Sequence, residues 1–172
     1  THPVWAALHA LPTMAQPSHY DALSLASAYY AIATTQWVLR QAPELAQDTL
    51  FRHTALREEL LSQWLARLSA LQDANGGFAW YPGLPTSSYI TTEVAYLLAR
   101  LHAMTGDTQT TKVLDRSLKY LTANADTTLT TRALQQLYIN VLMCKKLSQQ
   151  QRKMVADLPD EAKHWDRERQ AL

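Results

Sequence analysis

The sequence lacks most of the residue patterns that disulfide-linked, zinc-bound or polyanion-binding proteins carry. Cys144 is the single cysteine among 172 residues, which excludes an internal disulfide and a zinc site built from cysteines alone. Sixteen lysines and arginines stand against fifteen aspartates and glutamates, so the charge predicts no nucleic-acid partner. Apolar runs such as residues 94–99 are far shorter than the ~20 residues that cross a bilayer, so we expect no membrane insertion by this segment.

Glycine is also scarce, and its distribution is the most informative feature of the chain. Three of the four glycines lie within residues 76–83, GGFAWYPG, in a sequence whose apolar spacing is otherwise helical. Glycine allows backbone conformations that strain other residues, proline fixes φ, and the aromatic rings between them need an apolar surface. We therefore predict a tight, aromatic-rich connection between two helices, and we call residues 72–87 the corner.

The N-terminal half predicts an irregular or short-helical entry followed by helices that lead to the corner. Residues 22–41 carry an apolar stripe at offsets of three and four, with Ser18 or Asp21 as the cap. A short helix is expected after Pro43. A stronger helix is expected to begin at Thr54 as its cap and to end at the corner.

The C-terminal half repeats the helical spacing, and no stretch alternates convincingly as a β-strand. The expected boundaries are an end at Gly106, a start at Asp107 or Thr108, another near Thr127 or Thr128, a Ser148 cap for a helix through Val155, and a last start at Pro159. The helix after residue 127 is expected to turn inward Leu134, Leu137, Tyr138, Val141 and Leu142.

These elements predict an all-α fold of antiparallel helical hairpins, six or seven helices in total. Hairpins in a row close a compact bundle or curl into an arc, and periodicity alone does not separate the two. We expect residues 1–172 to form a single all-helical domain. The chain opens on Thr1 and stops in the charged stretch 160–172, so we expect a fragment of a much larger multidomain protein.

The corner resembles a known helical linker. Residues 72–80, QDANGGFAW, follow the Gln-x-x-x-Gly-x-aromatic pattern that connects helices in α/α-toroid domains of terpenoid cyclases, prenyltransferases and complement-like thioester proteins. The longer run 71–93 resembles more specifically the bacterial α2-macroglobulin-like proteins, as does the entry segment 8–31. The resemblance covers residues 8–105, and beyond it only the helical rhythm is similar, most closely at 116–121.

The resemblance implies part of an α/α-toroid, with about half the usual helices. It also implies a large bacterial protein, periplasmic or otherwise secreted to the cell envelope, that acts as an endopeptidase inhibitor by trapping proteases. The implied partners are the other domains of the parent chain and a target protease. Thioester-bearing relatives carry Cys-x-x-Gln in the entry segment, where this chain has residues 16–20, QPSHY, and Leu147 stands three residues after Cys144. Trapping without a thioester would be steric.

No residue set predicts catalysis, a metal or a bound cofactor, and we interpret the chain as a non-enzyme. Asp73 and Glu93 flank the glycine-aromatic run 76–83, but one surface acid and one helix-start acid occur together in many domains. Residues 19–21, His-Tyr-Asp, point in different directions at a helix start, and His102 has no second histidine at helical spacing.

Two alternative functions remain open at this point. An α/α-toroid enzyme acting on a glycan or an isoprenoid would need an acidic pair or an Asp/Cys/His zinc set, and the chain has no Asp-Asp pair. A helical-repeat interaction domain would present a concave surface without a central barrel.

The candidate site is therefore a structural motif and contact surface rather than a reaction centre. We expect Gln72 and Asn75 to hydrogen-bond the backbone of the turn. We expect the aromatic side chains to plug the end of the helical array, with a platform for a sugar or a peptide as the alternative. The candidate residues are Gln72, Gly76, Gly77, Phe78, Trp80, Tyr81, Gly83 and Tyr89.

Overall fold

The computed structural model describes residues 10–17, 19–47, 51, 58–126 and 128–161. Its helices are α1 (Ala22–Gln41), a 3-10 helix (Pro43–Gln47), α2 (Glu58–Leu71), α3 (Ser88–Thr105), α4 (Thr111–Ala123), α5 (Thr131–Leu142) and α6 (Gln149–Glu161). This part of the chain contains no β-strand, only an isolated bridge between Phe78 and Ser87. The prediction of an all-α fold is confirmed. None of its helices combines the length and the apolar character needed to cross a membrane.

Several helix ends lie where the sequence places them. Asp21 accepts a hydrogen bond from the backbone N–H of Ser24 at 2.9 Å and caps α1, whereas Ser18 and Thr54 lie outside the described residues. Gly106 ends α3 in the left-handed conformation, with φ of 72°. These boundaries follow from local chemistry, so the sequence pattern finds them.

The predicted start of α4 is wrong by several residues. Asp107 does not begin the helix, because its carboxylate accepts hydrogen bonds from the backbone N–H and the hydroxyl of Thr110 and so holds a turn. The first residue of α4 is Thr111.

The start of α5 is also later than predicted, because Thr130 is its cap and accepts from the N–H of Ala133 at 3.1 Å. Thr128 precedes the helix, and Thr127 lies outside the described residues.

The last helix begins at the predicted cap but continues past its predicted end. Ser148 Oγ accepts from the N–H of Gln151, and the side chain of Gln151 accepts from the N–H of Ser148, which is a capping box. Pro159 opens no further helix, since α6 runs on to Glu161.

Helices α1, α3 and α5 lie side by side, and α2 and α4 cover them. Helix α3 packs against α1 on one flank and α5 on the other, while α2 packs against α1 and α4 against α3. One cavity gathers the start of α1, the end of α2 and the corner before α3, and a second gathers the end of α1, the start of α2 and the end of α3. Helices α1 and α3 therefore run parallel, with α2 antiparallel to both.

Helix α5 has the same direction as α3. Gln135 of α5 donates a hydrogen bond to Glu93 of α3, and the ring of Tyr138 contacts that of Tyr96. Later residues of α5 thus meet later residues of α3, so the two helices are parallel. The pairs α1–α2 and α3–α4 therefore pack as successive hairpins, and α5 extends the layer made by α1 and α3.

The main core lies between these two layers and spans α1 to α4 and part of α5. Its largest fully buried side chains include Tyr29, Phe78, Leu98, Leu114 and Ile139. A smaller, separate cluster joins α5 and α6 through Ala133, Leu137 and Met154.

The predicted inward face of α5 is partly wrong. Val141 is 61% exposed and Tyr138 lies at the surface, whereas Gln136 and Ile139 are buried. The helix is rotated about its axis relative to the predicted orientation, because Gln136 takes a core position. The amide nitrogen of Gln136 lies 3.5 Å from the hydroxyl of Thr92 on α3. A pattern read from apolar residues alone does not anticipate a buried glutamine.

Candidate functional site

The corner is a compact turn held by its own polar groups. The backbone N–H of Asp73 donates to the carbonyl of Gly77 at 3.0 Å, and the N–H of Gly76 donates back to the carbonyl of Asp73 at 2.9 Å. The Asn75 side-chain oxygen accepts from the N–H of Gly77 at 2.8 Å. The prediction that Asn75 serves the turn is confirmed.

Gln72 ties the corner to a helix distant in sequence. Its buried side-chain amide nitrogen lies 3.0 Å from the carbonyl of Gly76, 2.9 Å from the carbonyl of Val113 and 3.1 Å from the hydroxyl of Ser117. The last two belong to α4. One side chain thus links the end of α2, the turn and the adjacent hairpin, and the structural role predicted for Gln72 is confirmed.

The two glycines of the pair are enclosed by α4. Gly76 has φ of 90°, and a Cβ atom there would lie 2.4 Å from the carbonyl oxygen of Arg116. A Cβ on Gly77 would lie 2.8 Å from the ring of Tyr120. The Arg116 guanidinium also donates to the carbonyl of Asp73 at 2.7 Å. Only glycine allows α4 to approach this closely.

Phe78 anchors the corner to α3. Its side chain is fully buried, its N–H donates to the Thr91 hydroxyl at 2.8 Å, and its carbonyl accepts from the N–H of Ser87 at 2.8 Å. For Phe78 the expectation of a core aromatic is confirmed.

The other three aromatic residues do not plug the helical array. Trp80 is 51% exposed, Tyr81 60% and Tyr89 49%. The rings of Trp80 and Tyr89 stack at 5.7 Å between centroids and 15° between planes. Once Phe78 and Ser87 pair, residues 79–86 project from the core, so Trp80 and Tyr81 meet solvent, and Tyr89 lies on the exposed side of the first turn of α3. The expectation of buried aromatics is wrong for them.

A small cleft of about 70 Å³ lies beside the stacked rings. Asp21 and Ala22 from the start of α1, Leu71 from the end of α2, and the loop 79–84 line it. Gly83 belongs to that loop with φ of 85°, and nothing lies within 4 Å of the position its Cβ would take. The loop is therefore open to solvent on this side.

A larger groove of about 440 Å³ has Tyr89 but not Trp80 among its lining residues, so it is distinct from the small cleft. Its lining consists of Tyr89, Glu93, Asp126, Thr130, Thr131, Arg132 and Gln135. We call it the polar groove. It is formed where the starts of α3 and α5 run side by side.

Hydrogen bonds fix the side chains of the polar groove. The Arg132 guanidinium donates to both oxygens of Asp126, and the Thr130 hydroxyl donates to the same carboxylate at 2.6 Å. The hydrogen bond from Arg132, followed by that from Thr130, holds the pKa of Asp126 below its usual 3.8. Gln135 donates to Glu93 at 3.1 Å.

The remaining residues weighed from the sequence are not assembled into a reactive centre. Asp73 and Glu93 line different depressions, and the Nδ1 of His102 lies 2.5 Å from the carbonyl of Asp107. The parts of the chain that the structure describes contain no group of three histidine, cysteine or carboxylate side chains placed to hold a metal.

Cys144 lies just beyond the end of α5. It is exposed, with φ of 50°, and the N–H of Lys145 bonds the carbonyl of Asn140 at 2.9 Å. The N–H of Cys144 itself donates to the carbonyl of Val141. This is a Schellman motif in which cysteine occupies the usual glycine position.

A further cavity of about 370 Å³ lies at the opposite end of the hairpins, between the ends of α1 and α3. Burial of the Tyr29 phenol raises its pKa above the ordinary value, and the nearby Asp107 carboxylate raises it further. The ring therefore stays neutral at physiological pH. The proximity of Tyr29 to Asp107 was not predictable from the sequence, since only the fold brings the two residues together.

Comparison of the chain with protein-family models, with curated protein sequences and with solved structures finds no match.

Proposed function

We propose that this chain is a non-catalytic helical module of an α2-macroglobulin-like protein, equivalent to the thioester domain but without the thioester. The parent protein would inhibit proteases by steric trapping at the bacterial cell envelope. In this proposal the module binds and positions protein partners, and it carries out no reaction itself.

The observation that carries the proposal is the bonding of Gln72. The sequence pattern that carries the resemblance begins at Gln72. The amide nitrogen of Gln72 donates to the carbonyl of Gly76 in the turn and contacts Val113 and Ser117 of α4. The pattern therefore serves to lock neighbouring hairpins. These bonds of the Gln72 amide nitrogen indicate a structural role for the residue.

The packing of the helices supports the toroid part of the proposal. Helices α1, α3 and α5 form one layer, and α2 and α4 cover it. In the described part of the chain, α1 and α5 flank α3 and make no extensive contact with each other. Such an arc is what half of an α/α-toroid would present, and also what a helical repeat would present.

The exposed side of the corner supports a role in docking. Trp80, Tyr81 and Leu84 are each about half exposed or more, and they stand together on one loop. Aromatic residues clustered at a surface are typical of contacts between proteins. We propose that this loop docks on another domain of the parent chain.

The position of Cys144 supports trapping without covalent capture. An acyl thioester needs a cysteine thiol and a glutamine carbonyl brought together, and the residue at the third position after Cys144 is Leu147. No other cysteine occurs in the sequence. The proposed mechanism is therefore enclosure of the protease after cleavage of a bait segment elsewhere in the parent protein.

The test is a protease-protection experiment on the full-length parent protein. After incubation with a panel of endopeptidases, hydrolysis of casein should slow at least tenfold, while hydrolysis of a short peptide substrate stays nearly unchanged. Treatment with methylamine, which opens thioesters, should alter neither rate. A Cys144→Ser variant is the matched control and should behave as the unmodified protein.

Two outcomes would contradict the proposal. Equal loss of activity on casein and on the peptide would indicate active-site inhibition, and unchanged activity on both would exclude trapping. The helical-repeat alternative is separated by the shape of the intact parent, since a toroid predicts a closed ring of hairpins in its structure.

A further inference from the structure

We propose that the polar groove is a binding site for a neutral oligosaccharide, with the ring of Tyr89 as its stacking face. This site is distinct from the docking loop at the corner, and it goes beyond the proposed trapping function. The inference depends on the lining of the groove, its charge and the way its side chains are held.

The aromatic wall suits the apolar face of a sugar ring. Tyr89 is about half exposed and lines the groove, and Trp80 stacks on it from the side of the corner cleft. This stacking fixes the plane of the Tyr89 ring. A flat, oriented aromatic face binds the C–H side of a pyranose at small entropic cost.

The rest of the lining consists of hydrogen-bonding side chains. Apart from Tyr89, the groove is lined by Glu93, Asp126, Arg132, Gln135 and two threonines. No leucine, isoleucine, valine or methionine is among the lining residues. A peptide or protein partner usually anchors on a cluster of aromatic or aliphatic side chains, whereas Tyr89 is the single such side chain in this lining. Hydroxyl groups, which donate and accept, match such a lining.

The charges of the groove disfavour an anionic ligand. Arg132 is already paired with Asp126 by hydrogen bonds from Nε and a terminal nitrogen, so its positive charge is largely neutralised. The carboxylate of Glu93 remains as the other charged group of the lining, and it would repel an anion. It can accept a hydrogen bond from a hydroxyl group of a neutral sugar.

The polar side chains are held before any ligand arrives. Arg132 and Thr130 both bond Asp126, and Gln135 bonds Glu93 across the two helices. A site whose side chains are already ordered loses little entropy on binding. Its size, about 440 Å³, falls within the usual range of roughly 300–1,000 Å³ for small-ligand sites.

The test is calorimetric titration of the 172-residue chain with a panel of hexasaccharides of glucose, N-acetylglucosamine and mannose, and with a proline-rich decapeptide. We expect at least one saccharide to bind with a dissociation constant below about 1 mM, which corresponds to a binding free energy of about −4 kcal/mol. Tyr89→Ala should weaken this binding at least tenfold, and Glu93→Gln by a smaller factor.

Tyr20→Ala is the matched control, because Tyr20 is an exposed tyrosine at the start of α1 that does not line the groove. It should bind the saccharide as the unmodified chain does. Far-ultraviolet circular dichroism of each variant verifies that the helices are retained.

Absence of binding by every saccharide at 10 mM would overturn the proposal. So would saccharide binding that Tyr89→Ala leaves unchanged, or decapeptide binding that Tyr89→Ala abolishes while no saccharide binds. None of these results bears on protease trapping, because that experiment uses the parent protein and no saccharide.

Discussion

Single residues at the corner show how backbone geometry and helix packing are linked. Gly76 combines a positive φ with close approach to the Arg116 carbonyl, whereas Gly83 has a similar φ and open space around it. The two positions therefore separate backbone strain from steric exclusion. Both glycines belong to the same sequence fingerprint, but only Gly76 controls the fit of α4.

Gly76→Ala should destabilise the chain much more than Gly83→Ala. At Gly83 an alanine bears only the left-handed strain, about 1–2 kcal/mol. At Gly76 the same strain is joined by a clash with backbone that α4 relieves only by moving, for a total of about 3 kcal/mol or more. Urea unfolding of both variants measures the difference, and equal losses would show that α4 does not restrict this turn.

The candidate site was predictable where local chemistry determines it. Glutamine and asparagine beside a Gly-Gly pair satisfy turn backbone, and Gln72 and Asn75 do so. The exposure of Trp80 and Tyr89 was not predictable, because aromatic residues are buried on average and this average does not determine the position of any one side chain. Nor was the polar groove, whose residues come from the start of α3 and from the segment 126–135 at the start of α5, and are joined only by the packing of these two helices.

At the scale of elements, the two misplaced helix starts have one cause. Before α4 and again before α5, an aspartate accepts a hydrogen bond from the threonine at the N-cap position: Asp107 from Thr110, and Asp126 from Thr130. The aspartate holds a turn and delays the helix. The sequence shows several residues able to cap at these places, and the distances in the fold decide between them. The start of α1 was predictable because the Asp21 side chain caps the helix directly, accepting from the N–H of Ser24.

The hydrogen bonds from Thr130 and Arg132 to the Asp126 carboxylate, here called the Asp126 clamp, should make the stability of α5 decrease at acid pH. The folded pKa of Asp126 lies below 3.8, chiefly because Arg132 donates hydrogen bonds to the carboxylate. A depressed pKa contributes stability that is complete above the unfolded value and is lost as the pH falls through the folded value. The free energy of unfolding should therefore decrease as the pH is lowered below about 4.

Asp126→Asn is the variant that tests the clamp. It should lower stability at pH 7 and flatten the decrease between pH 4 and 2, both measured by urea unfolding at several pH values. Asp115→Asn is the matched control, because the exposed Asp115–Lys145 pair should contribute little. A pH profile unchanged by Asp126→Asn would show that other carboxylates cause the acid sensitivity.

At the scale of the whole molecule, the hydrophobic interior is divided unequally. The main core joins α1 to α4 with Ile139 of α5, whereas α6 is held through a small cluster around Met154. Among the described helices, α6 makes only sparse contact with the others. Local stability follows the number of buried apolar contacts, so α6 should open independently of the hairpins.

Hydrogen exchange followed by mass spectrometry should resolve this difference through a pair of variants. Leu98→Ala removes a fully buried side chain from the main core, should cost about 2–5 kcal/mol, and should lower protection throughout α1, α3 and α4. Met154→Ala should increase exchange in α6 and leave α3 protected as before, because its cluster is separate from the main core. If Met154→Ala lowers protection in α3 as much as in α6, the two clusters unfold as one unit. In that case α6 belongs to the same cooperative structure as the hairpins.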